Sequence, residues 1–463
     1  MKKELILSIL FFFIFGCSSR FNTYEDMKNS FLQEEEKSPE TISTKDNFSL
    51  NDAIFYAIDQ NLQLQAILQQ KNIAKGQFIE ALSFSLPHFS AKGAYTQLDK
   101  TPAIGEGEQK TIVGDKNNYS LNLQARQALF TGGKILSGIR SSQLFEWFSD
   151  EQISFQLQKT IFEVTKAYYD VLLAKHLHYV NEIAVESAKK HLIIVRQKKS
   201  EGLASHFDEL RAEVDVSNFQ AERLKQKNAF QVFNTRLFKI MGFSQKNIVN
   251  LSDDLFFYPI KISFEKALET AFSYRPDLFI KELEKRMQKE SVKQVYGEYF
   301  PHLHALFQQE WGKPDPHKTT LDRWGKQWSA ILSLEWPLFE GARKIGKLKK
   351  EKSLLKQKNI LLSDLKESIR LEIQEALLHL QTAEEFVLTQ KLDLKRAKEG
   401  LKIIAKGYQE GINTEVEVVD ARSSMTRAKS LHYQAIYQHC LARLQLEFAL
   451  GILGKNYETY MEK

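Results

Sequence analysis

The chain has 463 residues, with 64 basic against 58 acidic side chains for a net charge of +6, and is 43% hydrophobic and 26% charged. A mean hydropathy of −0.37 excludes a bundle of transmembrane helices, which would need several apolar runs of about 20 residues. The 32 Phe and 16 Tyr exclude a disordered chain. Nine Pro and 21 Gly leave room for long uninterrupted helices. A β-barrel is not excluded, because its alternating strands hardly raise mean hydropathy. No basic block stands out as a nucleic-acid footprint, so no nucleic-acid partner is expected.

The amino terminus reads Lys2-Lys3, an apolar run from Leu5 to Phe15, then Gly16-Cys17. The run is too short to span a bilayer and suits a secretory signal peptide over residues 1–16. Ile14-Phe15-Gly16-Cys17 resembles a bacterial lipobox, in which the Cys17 sulfur would take a diacylglycerol after cleavage. Ser18 follows, where Asp would resemble an inner-membrane retention signal, so delivery to the outer membrane is expected. Residues 17–47 are polar and read as a tether. Cys440 would then be the only free thiol.

From residue 50 the chain repeats itself. Pro87-His88 matches Pro301-His302 at an offset of 214, and Leu129-Phe130 matches Leu338-Phe339 at an offset of 209 that also carries Glu201-Gly202 onto Glu410-Gly411. The first repeat, 50–242, predicts a helix over 50–84 stopped by Pro87, strands near 88–97 and 118–128, a helix over 134–199, a break at Gly202, and a helix over 206–242. A connecting segment, 243–263, leads to the second repeat, 264–451. It predicts a helix over 264–298, strands near 302–311 and 328–337, a helix over 344–409, a break at Gly411, a helix over 415–451, and a tail over 452–463. A helix of some 65 residues would reach about 100 Å, longer than any single globular core needs.

The strands alternate. Phe89, Ala91, Gly93 and Tyr95 share one face against Ser90, Lys92 and Thr96, and Trp328, Ala330, Leu332, Leu334 and Trp336 oppose Ser329, Ser333 and Glu335. Segments of about 10 residues with aromatic ends suit a transmembrane β-strand. A half-buried hairpin of a soluble sheet is the alternative. Four such strands cannot close a barrel, so a ring of copies is required. Two would just suffice, and three would make twelve strands.

Leu86-Pro87 before a strand, Leu129-Phe130-Thr131-Gly132-Gly133 after the hairpin, and Tyr408-x-x-Gly411 followed by Val419-Asp420-Ala421 resemble the TolC-type outer-membrane efflux proteins. The lipidated amino terminus is more similar to the OprM and NodT branch. The resemblance implies a mainly α fold with a transmembrane β-barrel: a homotrimer with twelve strands above a periplasmic α-helical barrel. It also implies that the shorter helices stack end to end, 206–242 beneath 264–298 and 415–451 beneath 50–84. The partners implied are a periplasmic adaptor, an inner-membrane transporter of the RND or ABC type, and outer-membrane lipid.

Two helix turns, Gly202-Leu203-Ala204-Ser205 and Gly411-Ile412-Asn413-Thr414, are the implied docking surface for the adaptor. Glu417 and Asp420, three apart on one helix face, match an acidic pair that lines the periplasmic mouth in the family, and Tyr408 matches a residue that holds the closed state. Asn413 stands where the family has an arginine, so closure is expected to rest on hydrogen bonds and packing. Threefold crowding of the carboxylates would raise some of their pKa values.

The sequence holds no P-loop, HExxH, CxxC or GxSxG, so neither an enzyme nor a cofactor is expected. His302 and His304 permit metal binding by spacing but read better as pore-lining or interfacial. His176 and His178 fall on different helix faces. The expected function is a passive exit duct of a tripartite pump or type I secretion system. A non-transport coiled-coil envelope lipoprotein is the alternative.

Overall fold

A computed structural model describes residues 26–28, 48–105, 111–243 and 251–455. The expected signal peptide, 1–16, and Cys17 lie outside these residues. In chain order the elements are α1 (Leu50–Gln60), α2 (Leu62–Ser83), β1 (His88–Gln97), β2 (Ala103–Ile104), β3 (Thr111–Ile112), β4 (Asn117–Phe130), α3 (Lys134–Ser200) and α4 (His206–Met241), followed by α5 (Phe264–Tyr274), α6 (Pro276–Gly297), β5 (His302–Lys313), β6 (Gly325–Glu335), α7 (Arg343–Gln409) and α8 (Glu415–Ala449). The long helices α3 and α7 each have 67 residues. The short β2–β3 hairpin occupies the stretch where the offset between repeats changes.

Two expected helices are each broken in two. Residues 50–84 part at Asn61, which leaves the helical region at ψ 116°, caps the end of α1 and accepts a hydrogen bond from Leu64 N with its side chain. Residues 264–298 part at Arg275 with ψ 115°, because the following Pro276 disfavours helical geometry in the residue before it. Asn61 and Arg275 are equivalent at the offset of 214. The fourth strand also differs from expectation: it starts three residues earlier, at Gly325, and ends at Glu335 before Pro337, which has no N–H for a ladder.

The breaks decide which helices stack, and the pairing differs from the one implied by the resemblance. Asn61 Nδ2 donates to Ile240 O at 2.6 Å, and a Cβ on Gly242 would lie 2.3 Å from Gln60 O. Arg275 Nη1 donates to Ala449 O at 3.1 Å, and a Cβ on Gly451 would lie 2.7 Å from Tyr274 O. So α4 stacks on α1–α2, and α8 stacks on α5–α6. Each repeat closes on itself, through a left-handed glycine that lets two backbones touch.

The strands form one antiparallel sheet in the order β1-β4-β5-β6. Each is joined to one rod of a helical wall, and the rods follow the same order: α2, α3, α6 and α7 near the sheet, then α4, α3, α8 and α7 further down. The register puts Phe89, Ala125, Phe307 and Ala330 in one row across the sheet, with Gly93, Leu121, Trp311 and Lys326 in another on the same face. The opposite face carries Ser90, Gln124, Gln308 and Ser329. The apolar face is exposed, with Phe89 at 80% and Trp328 at 68%.

The core is divided along the wall. Near its middle, Leu157, Ile161, Val164, Tyr168 and Leu172 of α3 pack on Ala53, Ala57, Leu237 and Phe238. The Tyr168 hydroxyl lies 2.9 Å from Phe48 O and 2.8 Å from the Asp253 carboxylate, and burial with that carboxylate pushes the phenol far above its ordinary range. Cys440 is buried there too, its thiol pushed up to about 11 by burial, which leaves it protonated and unreactive. A second cluster joins Ala267 and Ala271 to Ile369 and Ile373.

Where sheet meets wall, Gly132 has φ +63° and a Cβ there would lie 2.2 Å from Gly297 O. Gly341, its equivalent, has φ +58° but open space around it. Gly132→Ala should therefore combine left-handed strain of about 1–2 kcal/mol with a backbone clash, whereas Gly341→Ala should suffer the strain alone. Thermal unfolding of the two variants checks this. Equal losses would refute the close approach.

Candidate functional site

The two helix turns meet at the end of the wall opposite the sheet, and they are built alike. Gly202 (φ +75°) and Gly411 (φ +80°) take the left-handed conformation. Leu203 N donates back to Lys198 O, and Ile412 N to Gly407 O, both at 2.8 Å, closing each long helix in a Schellman motif. Ser205 with Asp208, and Thr414 with Glu417, then open the next helix in a capping box. The residue after each glycine is left in the open: Leu203 is 71% and Ile412 75% exposed. Ala204 is half-buried and packs against Val195, Ala212, Tyr408 and Val418.

Behind the turns lies a polar cluster that pattern reading alone did not assemble. His191 of α3 meets Glu415, the first residue of α8, at 2.7 and 2.9 Å, with both side chains buried. Asp215 of α4 meets Arg422 of α8 at 2.6 Å, also buried. Burial pushes the Asp215 carboxyl up despite the opposing pull of Arg422. Tyr408 of α7 completes the cluster. Its ring lies 5.2 Å from that of His191, the Lys198 ammonium sits 4.2 Å above it, and Lys198 Nζ donates to the Tyr408 carbonyl. Burial and the Glu415 carboxylate push the Tyr408 phenol up to about 12. Three helices are thus fastened by polar pairs held out of water, with Tyr408 of the fourth packed beside them.

A signal for these residues was present. Ala188, His191 and Val195 of α3, and Glu415, Val418 and Arg422 of α8, recur at spacings of three and four along buried seams. A charged residue on such a seam needs a partner on the facing helix.

The expected gate residues divide. Tyr408 is buried in the cluster, while Glu417 and Asp420 are exposed. Glu417 accepts hydrogen bonds from Thr414 N at 2.8 Å and Asn413 Nδ2 at 3.1 Å, and these hold its carboxyl below the ordinary range. Within one chain the shift is therefore opposite to that expected from crowded carboxylates. Asn413 is turned into its own loop, its Oδ1 filling the place of a Cβ on Gly407 at 2.0 Å. His302 stands opposite Glu335 and His304 opposite Ser333, and no group of three potential metal ligands occurs among the described residues. His176 is bound to Asp254 at 2.6 Å.

Comparison with known proteins matches residues 55–243 and 267–452, both repeats, to the family model described as outer membrane efflux protein. The chain belongs to the outer membrane efflux protein family. It is similar to outer membrane protein TolC of Salmonella enteritidis, 20% identical over 401 residues covering 85% of this chain and 80% of that one. Its fold is shared with a membrane protein from Pseudomonas aeruginosa (TM-score 0.78, 18% identity, 87% and 90% of the two chains). The Campylobacter jejuni CmeC outer membrane channel also shares it (TM-score 0.76, 17% identity, 89% and 88%). Family membership assigns the chain to an outer-membrane efflux channel and removes the alternative of a non-transport envelope lipoprotein.

Arg422→Ala would leave Asp215 buried without its countercharge, a loss of about 3–5 kcal/mol for a pair broken on one side. Because burial already raises the Asp215 pKa, the folded state takes up a proton more readily than the unfolded one. The loss should be greatest at neutral pH and shrink as pH falls toward the carboxylate range. Thermal unfolding across that range measures it. A deficit independent of pH would mean that packing rather than charge is what Arg422 supplies.

Proposed function

We propose that three copies of the chain form the passive exit duct of a tripartite pump or type I secretion system. One observation carries this reading. The four-stranded sheet has an apolar exposed face and two unpaired edges, β1 and β6, and the wall below ends on the rods joined to those same strands. In lipid such edges need partners, and β6 of one copy meeting β1 of the next satisfies them and closes sheet and wall together. Three copies give twelve strands around a lumen lined by the polar face.

Cys17 would carry the lipid anchor, aiding targeting more than retention once a barrel spans the outer membrane. The paired turns would meet the tips of a periplasmic adaptor, with exposed Leu203 and Ile412 as apolar contacts around small Gly202, Ala204, Ser205 and Gly411. Glu417 and Asp420 would line the mouth, drawing cations. The cluster of Tyr408, His191, Glu415, Asp215 and Arg422 would hold the mouth shut from within each copy, a role that Asn413 does not fill. Energy and cargo choice would come from an inner-membrane transporter of the RND or ABC type.

Purified oligomer in a planar bilayer should conduct, and replacing both Glu417 and Asp420 with Ala should lower its cation preference. Absence of channels would overturn the duct; unchanged selectivity would remove the acidic pair from the mouth. Separately, Ala204→Trp should abolish transport in cells while single-channel conductance stays normal, because the bulky ring obstructs the docking turn. Normal transport in that variant would place docking elsewhere.

A further inference from the structure

Below the apolar face of the sheet runs a ladder of aromatic and cationic side chains whose aromatic rungs, with Lys293, Lys344 and Lys352, have no counterpart in the first repeat. Trp336 continues the apolar face two residues beyond Leu334, and its Nε1 donates to Tyr299 O at 3.1 Å. The Lys344 ammonium, buried and already bound to Pro337 O and 3.6 Å from Glu340, lies 5.6 Å from the Tyr299 ring centre, and the exposed Lys352 ammonium 5.3 Å from that of Tyr296. Lys293 and Lys289 stand three and seven residues before Tyr296, on the same helical face. They open onto a groove of about 690 Å³ between α3, α6 and α7, where Arg140, Lys285, Arg286, Lys289 and Lys293 face only Glu282 and Glu290. Lys285 and Arg286 share Glu282, and Lys293 pairs with Glu290. Arg140 and Lys289 are exposed and have no ion-pair partner among the described residues.

The fold does not require the aromatic rungs or Lys293, Lys344 and Lys352, since the first repeat is built without them, keeping only Lys71 and Lys75 at the places of Lys285 and Lys289. There Gln127 stands for Trp336, and its Nε2 donates to Ser85 O at 2.9 Å, the equivalent of the Tyr299 carbonyl. The same structural bond is made with no indole. Ile79, Leu82 and Ser85 occupy the places of Lys293, Tyr296 and Tyr299, and Ile135 and Gln143 those of Lys344 and Lys352. The α6 rod is flanked by α3 and α7 within the chain, so joining further copies at β1 and β6 adds no neighbour to α6 itself.

We propose that the ladder binds the headgroups of anionic phospholipids in the leaflet at the lower rim of the sheet. The inference rests on the sheet spanning the outer membrane. Trp and Tyr suit the headgroup level, where an apolar ring and a polar edge are both satisfied. Lys293 lies about 6 Å of helix below the end of α6, within reach of a headgroup layer some 5–8 Å deep once the long side chain extends toward it. Excess cations at this depth, next to an apolar face, favour lipids bearing net negative charge over zwitterionic ones.

Native mass spectrometry of the full oligomer, taken from vesicles of phosphatidylethanolamine mixed with phosphatidylglycerol, tests this. The parent should retain phosphatidylglycerol with a preference of about tenfold or more. Changing Lys289, Lys293 and Lys352 together to Gln should bring the preference near parity, and changing all three to Arg should keep it. Lys71→Gln with Lys75→Gln, the equivalents of Lys285 and Lys289 in the first repeat, should leave it intact. A parent without preference, a Gln triple variant that retains it, or an equal loss in the first-repeat variant would each overturn the proposal. So would displacement of the lipid by millimolar inorganic phosphate, which would mark a free-anion site. Conductance in the same vesicles separates the readings: normal channels without lipid preference refute the ladder alone, and lipid preference without channels refutes the duct alone.

Discussion

The constraint on which the rest of the molecule depends is the pairing of backbone hydrogen bonds at the edges of the sheet. Among the described residues β4 and β5 are paired on both sides, while β1 and β6 each keep one row of N–H and C=O groups without a partner strand. Such rows invite pairing in water and demand it in lipid. The helical wall repeats the problem in apolar form, because its outermost rods carry side chains with no neighbour on one flank, such as Ile360 at 59% and Leu371 at 60% exposed. The proposed assembly would relieve both at once. The matching order of strands and rods makes this possible, and it is fixed at the junction by Gly132 and Gly297, two backbones that touch because neither residue has a side chain.

At the other end of the wall the governing physics changes from backbone pairing to buried charge. Each turn is secured by its own local devices, a left-handed glycine and a capping box. Those devices shape the turns without joining them. The joining is done by His191 with Glu415 and Asp215 with Arg422, pairs drawn from three helices and sealed under Tyr408 and Val418. A buried pair adds little net stability when made but is costly to half-break. It therefore specifies an arrangement more than it strengthens one. That property would suit the proposed mouth, which would have to hold one shape and still be able to leave it as a unit.

Much of this was legible in the sequence where the chain is punctuated. Pro87 and Pro301, Gly202 and Gly411, and the period-two stretches bound every major element, and the constant offsets between copies tied them into two repeats. The helix breaks were harder. Pro276 carried a signal that, moved back by the offset of 214, would have pointed at Asn61, but Asn61 leaves the helix because the Ile240 carbonyl waits for its side chain, a contact far away in sequence. Which short helix stacks on which was not legible, because duplicated sequences fit equally well paired within a repeat or across repeats. In the candidate site the turns could be read from Gly and Ser or Thr alone. The charged seam could be read only by asking why His191 and Arg422 sit at apolar spacings.

The breaks at Asn61 and Arg275 also give the wall an uneven mechanics. Two of its four rods, α3 and α7, are unbroken along 67 residues each, so bending them means stretching a continuous ladder of helical hydrogen bonds. The other two are spliced at mid-length, where Asn61 on Ile240 O and Arg275 on Ala449 O bridge joints made by touching backbones at Gly242 and Gly451. A wall of alternating beams and splices resists compression along its axis but yields in torsion at one level, where only the splices must slip. Twisting applied at the turns would therefore be absorbed near the joints, sparing the sheet, whose ladder of hydrogen bonds could not follow without breaking.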